Sequence, residues 1–450
     1  MSMVNNQRRD LLRGAALLSS GLLAGCMGNN QNGASNQGTN SGGWVHDTPQ
    51  EEPDKLVISN LNQISGDPAI RGHYQAFEDK TGITPEAYEI AEADTLSKAR
   101  TLLQAQEATP DVYDFIDSWS YSLGTRGYFE KIDQHITTAD AWSDMATEAC
   151  TWPLNLPEFE EFPYEEGLYG SPHYTKGWGL YANKGVLEEA GLSQDFRPET
   201  FQETLDALEQ VQDVTENPIV FPFSNASEAR ETVLNLVQRA GGHLYDDNNN
   251  PDFTNDGFVN AIDFLLTLVG EGYAPQGVTS LSEGNVAPPL FEGDAAFMLA
   301  GLTHLFAYEV EDGEPADLAT FNLAPVPEGA GQTPSGDGFL VMHNVSAFSK
   351  HKEAAVEFQN VVTSKERQKE ELLIAGNLPI RSDVFEMDEV QNQIPYAAVL
   401  KEFIDKQAKF IYPNQAEVQG IIYSEMTNAF ANGLSAEETA QNIQSRAEDI

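Results

Sequence analysis

The chain has 450 residues, 40% of them hydrophobic, and 70 Asp plus Glu stand against 25 Lys plus Arg for a formal net charge of −45. That length exceeds a single small core and calls for two or more lobes. The charge excludes a nucleic-acid backbone or an anionic lipid surface as partner, and the apolar content excludes a disordered acidic chain. The acid is spread along the whole sequence, the pattern of a surface adapted to high salt, where a screening length of about 3 Å at 1 M removes most self-repulsion.

The first 26 residues carry an address. Arg8-Arg9 precedes an apolar run from Gly14 to Leu23, and Leu23-Ala24-Gly25-Cys26 follows. The run is too short to span about 30 Å of hydrocarbon. Paired arginines before such a run resemble a twin-arginine export signal. Gln7 and Leu11 stand where such signals usually carry Ser or Thr and Phe, so a general secretory signal stays open. The four residues ending at Cys26 resemble a lipobox. Residues 1–25 are therefore expected to be cleaved and Cys26 lipidated, anchoring the chain to the outer face of the cell membrane. Cys150 is then left without a partner, and no disulfide framework is expected; a small buried residue is its simplest role.

Residues 26–53 are rich in Asn, Gln, Gly and Ser and then turn acidic, a composition that predicts a lipid-anchored flexible linker spanning roughly 30 Å. The fold is expected to begin at Lys55. Leu56–Ser59 reads as a strand, 69–80 as a helix stopped by Gly82, 84–90 as a second strand, and 112–116 as a third after a helix capped by Asp94. Strands alternating with helices predict a parallel α/β sheet, whose ligands sit beyond the carboxyl ends of the strands. Those ends are Ser59-Asn60 and Asp117-Ser118-Trp119. Further on, helices are expected over 198–212 and 228–240 and around Phe258–Leu268, with strands at 219–221, 295–299 and 321–324. The chain beyond Lys350 reads as almost wholly helical.

No catalytic elbow, phosphate loop or metal-protease motif occurs, and the eight histidines show no pair at metal-binding spacing. No cofactor or metal is expected. Asp246–Asn250 reads as a polar turn, since it lacks the Gly and Glu of a calcium loop. Among 70 acids, paired carboxylates carry little information, so a carboxylate-pair glycosidase is not excluded. The aromatics say more. Trp119, Tyr121, Tyr174, Trp178 and Tyr181 fall at expected strand ends and loops, where flat rings suit the C–H face of a sugar and Asp or Arg side chains suit its hydroxyls. Core packing is the competing role for each of them.

Several segments in order carry a resemblance. They are Phe77-Glu-Asp-Lys-Thr-Gly82, Thr109-Pro-Asp-Val-Tyr-Asp114, the run from Leu168 to Lys184, Glu188-Glu-Ala-Gly-Leu192, Phe291-Glu-Gly-Asp-Ala-Ala-Phe-Met298, His351-Lys-Glu-Ala-Ala-Val-Glu-Phe358 and Gly376-Asn-Leu-Pro-Ile-Arg381. From about residue 55 onward the chain resembles the extracellular solute-binding proteins of carbohydrate-type ABC importers, the group that includes maltose-binding protein. The resemblance implies an α/β, two-lobed periplasmic-binding-protein-like fold with a hinged ligand cleft and multiple crossovers. By it, lobe one is 54–180 plus 329–378 and lobe two is 181–328 plus 379–450. Matching positions place Asn60, Asp117, Trp119, Tyr174, Trp178, Asp337, Phe339 and Arg381 at the cleft. For Asp117 a helix N-cap, and for Arg381 a structural salt bridge, are the competing roles.

One departure stands out. Gly301-Leu302-Thr303 replaces the Gly-Pro-Trp of many members, so the stacking tryptophan of lobe two is absent, with Phe306 or Tyr412 as substitutes. The implied function is capture of a small solute, most simply a sugar or oligosaccharide, and its delivery to ABC permease subunits with their ATPase. No bond is made or broken, and a monomer suits such a trap. An exported carbohydrate-acting hydrolase, or a receptor for a non-sugar solute such as glycerol-3-phosphate, is the alternative.

Overall fold

The computed structural model describes residues 44–61, 68–90, 94–246, 248–301, 319–323, 340–394, 396–407 and 412–450. Cys26, Phe306, Asp337 and Phe339 lie outside the described residues. In chain order the first elements are β1 (Lys55–Ser59), α1 (Pro68–Thr81), β2 (Thr84–Ala87), α2 (Thr95–Gln104), β3 (Val112–Ile116), α3 (Asp117–Gly124) and α4 (Asp144–Cys150). There follow β4 (Thr151–Trp152), β5 (Gly167–Leu168), β6 (Ser171–Thr175), β7 (Trp178–Asn183), α5 (Lys184–Glu189), α6 (Phe201–Val211), β8 (Asn217–Val220), α7 (Ala226–Arg239), α8 (Asp256–Gly270) and α9 (Glu283–Glu292). The last are β9 (Ala295–Gly301), β10 (Ala319–Leu323), β11 (Leu340–Val345), α10 (Lys352–Val362), α11 (Lys365–Glu370), α12 (Asp388–Gln393), α13 (Ala397–Lys406), α14 (Gln415–Asn432) and α15 (Ala436–Ala447).

Two main sheets organise these elements. The first has the order β2-β1-β3-β11-β6 and the second β10-β7-β9-β8. β1, β2 and β3 run parallel, as their alternation with helices requires. The expectation of a wholly parallel sheet is corrected by β11, which runs antiparallel to both β3 and β6. β11 arrives from the far side of the chain, so no local crossover helix dictates its direction. The second strand is also shorter than expected, ending at Ala87 rather than Ile90.

The sheets are joined by a short crossover. β6 ends at Thr175 in the first sheet, and β7 begins at Trp178 in the second. All of β7 lies in the second sheet, whereas the resemblance divided it at residue 180. Thr175 and Leu378 exchange both backbone hydrogen bonds at 3.0 Å, and Gln407 Nε2 donates to Lys176 O at 3.1 Å. Three distant stretches of chain thus meet at the crossover.

Alternation along β7 supplies two faces of core. Leu180 and Ala182 join Ile219, Phe297 and Leu299 under α6, α7 and α8, while Tyr181 joins Val220, Met298 and Ala300 on the opposite face. The first sheet has its own core around Leu56, Ile58, Tyr113, Phe115 and Trp152. Helix ends follow their capping chemistry. Thr200 and Glu203 form a reciprocal capping box on α6, Asn225 caps α7 and Asn255 caps α8. Asp94 stands at the N-cap of α2 but makes no side-chain cap bond.

The folded body begins earlier than composition suggests. Trp44 is 2% exposed and stacks on His135 with centroids 4.0 Å apart. His46 Nδ1 meets Glu130 Oε1 at 2.9 Å, and Thr48 Oγ1 donates to Ala347 O at 2.8 Å. Residues expected to belong to a flexible linker are therefore docked from Trp44 onward. Their Asn- and Gly-poor sequence with one tryptophan was the available signal. Cys150 is a free, buried cysteine, and burial pushes its thiol pKa up. Among the described residues, no helix is long and apolar enough to cross a membrane.

Candidate functional site

The carboxyl end of β3 delivers the chain into α3, so Asp117 and Trp119 emerge together at the edge of the first sheet. Asp117 is the first helical residue rather than the N-cap, and its Oδ1 accepts the N–H of Ser118 at 2.6 Å. Trp119 packs edge-on against Phe115, 6.2 Å between centroids, leaving the indole half-buried. Both residues line a cavity of about 610 Å3, within the range of small-molecule sites.

The same wall carries Leu96 and Arg100 from one face of α2, Tyr121 and Ser122 from α3, and Thr125 and Arg126 beyond it. Leu156, Glu158 and Phe159 close one side. The facing wall belongs to elements packed on the second sheet. Ser227 and Arg230 come from α7, Tyr412 and Asn414 from the approach to α14, and Gln415, Glu417 and Gln419 from its first turns. The cavity is thus an inter-lobe cleft.

Two polar groups in the cleft are held in place from behind. Arg230 is buried, and its Nε donates to Tyr412 Oη at 3.2 Å. Tyr412 in turn stacks on Tyr245, 6.2 Å apart and 13° from parallel. Arg100 Nε is buried with no hydrogen-bond partner among the described residues. In a chain so poor in cations, three of the cleft's side chains are arginines and none is a lysine. Guanidinium groups present planar, fixed donors suited to hydroxyl, carboxylate or phosphate oxygens.

Other residues expected at the site lie elsewhere. Asn60 follows β1 and its Nδ2 donates to Tyr74 Oη at 2.8 Å. Tyr174 is buried in β6 beside His173, 4.8 Å between ring centroids. Trp178 sits in the core of the second sheet, and its Nε1 donates to Glu231 Oε2 at 3.1 Å. Arg381 pairs with Asp383 at 2.6 Å and donates to Thr363 O at 3.2 Å. These four are not among the residues lining the cavity. Sequence reasoning singled out Asp117, Trp119, Tyr121 and Tyr412 from the two walls and missed Arg100, Arg126 and Arg230. Each of those arginines follows a helical or turn pattern that reads as solvent-facing, and only their scarcity marked them.

Two α/β lobes with a polar, aromatic-lined cleft between them define a solute-binding protein. Residues 73–398 match the model of the bacterial extracellular solute-binding protein family, and the chain belongs to that family. No curated protein sequence matches it. Among solved structures it is similar to the sugar-binding protein MalE from the phytopathogen Xanthomonas citri, with TM-score 0.73, 20% identity, and 88% of this chain and 96% of that chain covered. It is similar also to maltose-bound T. maritima MalE3, with TM-score 0.72, 18% identity and coverage of 88% and 99%. A third is UgpB from Mycobacterium tuberculosis in complex with glycerophosphocholine, with TM-score 0.70, 17% identity and coverage of 89% and 98%. At these identities the likeness is one of fold.

Proposed function

We propose that this chain is the external receptor of an ABC importer for a sugar or a related polyhydroxylated solute. The observation that carries the reading is the inter-lobe cavity, with Asp117 and Trp119 on one wall and Arg230 and Tyr412 on the other. A ligand bridging those walls makes contacts that only the closed arrangement offers, so it shifts the lobes toward closure. Trp119 and Tyr412 provide apolar platforms, and Asp117, Arg100 and Arg230 provide hydroxyl partners. The closed form then passes its cargo to permease subunits driven by their ATPase, and the chain itself makes and breaks no bond. Export by the twin-arginine route, anchoring through Cys26 and a surface suited to high salt complete the proposal. The lobes as 54–180 plus 329–378 and 181–328 plus 379–450 belong to it, as do Asn60, Tyr174, Asp337, Phe339 and Arg381 as ligand-binding residues.

The three arginines favour a second reading of the ligand, a glycerophosphodiester or sugar acid, and the likeness to UgpB agrees with it in fold. A thermal-shift panel in molar salt tests both. Mono- and oligosaccharides, sugar phosphates and glycerophosphodiesters are each offered to the purified chain. A true ligand at 100 times its Kd stabilises by about 2.7 kcal/mol and is recovered unchanged. Release of product from any member of the panel would replace binding with hydrolysis, and no shift from any of them would reject these solute classes.

A further inference from the structure

Three adjacent strands of the first sheet place three ligand-type side chains on one face. Asp114 of β3 is directly opposite His343 of β11, and His173 lies on the neighbouring strand β6. All three are almost wholly buried, and each offers one ligand atom within 4.8 Å of the others. The chain places them far apart in sequence, so only strand order β3-β11-β6 brings them together.

The distances admit a cation site as well as the hydrogen bond that His173 and Asp114 make at 3.2 Å. His173 Nδ1 lies 3.2 Å and His343 Nε2 3.5 Å from Asp114 Oδ1. A charge-assisted N–H···O bond measures about 2.7–2.9 Å, as His73 Nε2 to Glu371 Oε2 does at 2.8 Å close by. Ligand atoms at about 2.0–2.1 Å around a tetrahedral ion stand about 3.3 Å from one another, and the two longer separations straddle that value. Behind His173, its other nitrogen Nε2 has no hydrogen-bond partner among the described residues and faces Glu371 Oε2 at 3.7 Å. Glu371 is fixed by Asn377 Nδ2 at 2.6 Å, and Asp114 Oδ2 accepts the N–H of Leu61 at 3.3 Å. A carboxylate behind a ligating histidine sets its tautomer and its orientation.

Asp114 and Glu371 set two buried carboxylates beside the two rings, and the His343 ring lies 4.6 Å from that of His173 between centroids. We propose that Asp114, His173 and His343 form a structural site for one divalent transition-metal ion of the zinc class, with Glu371 positioning His173. The ion would neutralise two buried carboxylates and lock β3, β11 and β6 together, so its binding adds to folding stability.

The test uses the full chain in molar salt, stripped with a chelator and then titrated with Zn2+ or Co2+. Elemental analysis is expected to return close to one ion per chain, with a rise in Tm on adding Zn2+ and visible d–d bands on adding Co2+. His343→Gln and Asp114→Asn should each abolish the bands and the Tm rise, while Glu371→Gln should weaken binding about 10–100-fold. Stripped wild-type protein that takes up no ion and keeps its Tm would overturn the site. So would uptake that survives both His343→Gln and Asp114→Asn, since the acidic surface would then be the binder. If those variants do not fold, the wild-type titration and the Co2+ spectrum decide alone.

Discussion

The carboxylate of Glu158 accepts the backbone N–H of Asn414 across the cleft at 3.2 Å. Glu158 belongs to the segment packed on the first sheet, and Asn414 precedes α14 on the second, held in a left-handed conformation at φ 52°. This bond ties the two walls at the cavity rim. A hydrogen bond of this kind contributes about 0.5–1.5 kcal/mol net. Glu158→Ala should therefore weaken ligand affinity about 3–10-fold and enlarge the radius of gyration of the unliganded chain in small-angle scattering. Affinity and radius both equal to wild type would mean that the bond does not hold the lobes together.

Trp119→Ala removes a half-buried platform and should lower ligand affinity at least about 10-fold, at a smaller stability cost than truncating a fully buried tryptophan. Arg230→Lys should also weaken binding, because a point charge cannot reproduce the planar fork that Tyr412 orients. Calorimetric titration with the ligand found in the panel measures both; a wild-type Kd in each would place the ligand elsewhere.

A docked clasp ties the N-terminal segment to the first sheet. Lys352 Nζ and Glu130 Oε1 pair at 2.6 Å with neither side chain exposed, and Lys352 also donates to His46 O at 3.1 Å. Lys352→Met leaves Glu130 short of a partner and should cost about 3 kcal/mol, measured by denaturant unfolding. Trp44→Ala should cost a similar amount.

The same clasp gives an acid limb to stability. Burial raises the Glu130 pKa, but His46 and Lys352 outweigh it and hold the carboxyl below its ordinary value. A depressed carboxylate contributes stability that is complete above its unfolded pKa of about 4.3 and is lost as pH falls through the folded value. Glu130→Gln should flatten the fall of Tm below about pH 4.3, while Tm still falls because other buried carboxylates remain. An unaltered pH profile would remove Glu130 from the acid limb.

The turn after α7 meets the first turn of α8 backbone to backbone. A Cβ on Gly257 would stand 2.3 Å from Gly242 N and 2.4 Å from its Cα. Gly257→Ala should destabilise by about 2 kcal/mol through forced separation. Gly420, inside α14 with nothing within 4 Å of a Cβ, is the control, and its change to Ala should stabilise by about 0.5–1 kcal/mol.

Much of the fold was legible because local pattern and tertiary demand agree. The apolar runs 56–59 and 112–116 became β1 and β3, and the stripe through Ile70, Tyr74 and Phe77 became the buried face of α1. Asp117 and Trp119 were legible as cavity-lining residues because a parallel strand end points to a cleft. Trp178 was legible only as an aromatic near a crossover. Its neighbour Glu231 lies on a helix more than fifty residues away, and that hydrogen bond points the indole into the core.

By itself, the sequence determined the alternation of elements and the acidic composition, because each rests on spacing or residue content within a short window, and it gave the two-lobed class through chain length and the ordered segments of the resemblance. The tertiary structure alone decided that β11 enters the first sheet antiparallel, that Arg230 and Tyr412 face Asp117 and Trp119, and that His173 and His343 flank Asp114. Those outcomes depend on strand order and on which helix covers which face. Both are set by the packing of segments far apart in the chain, where no local periodicity carries a signal.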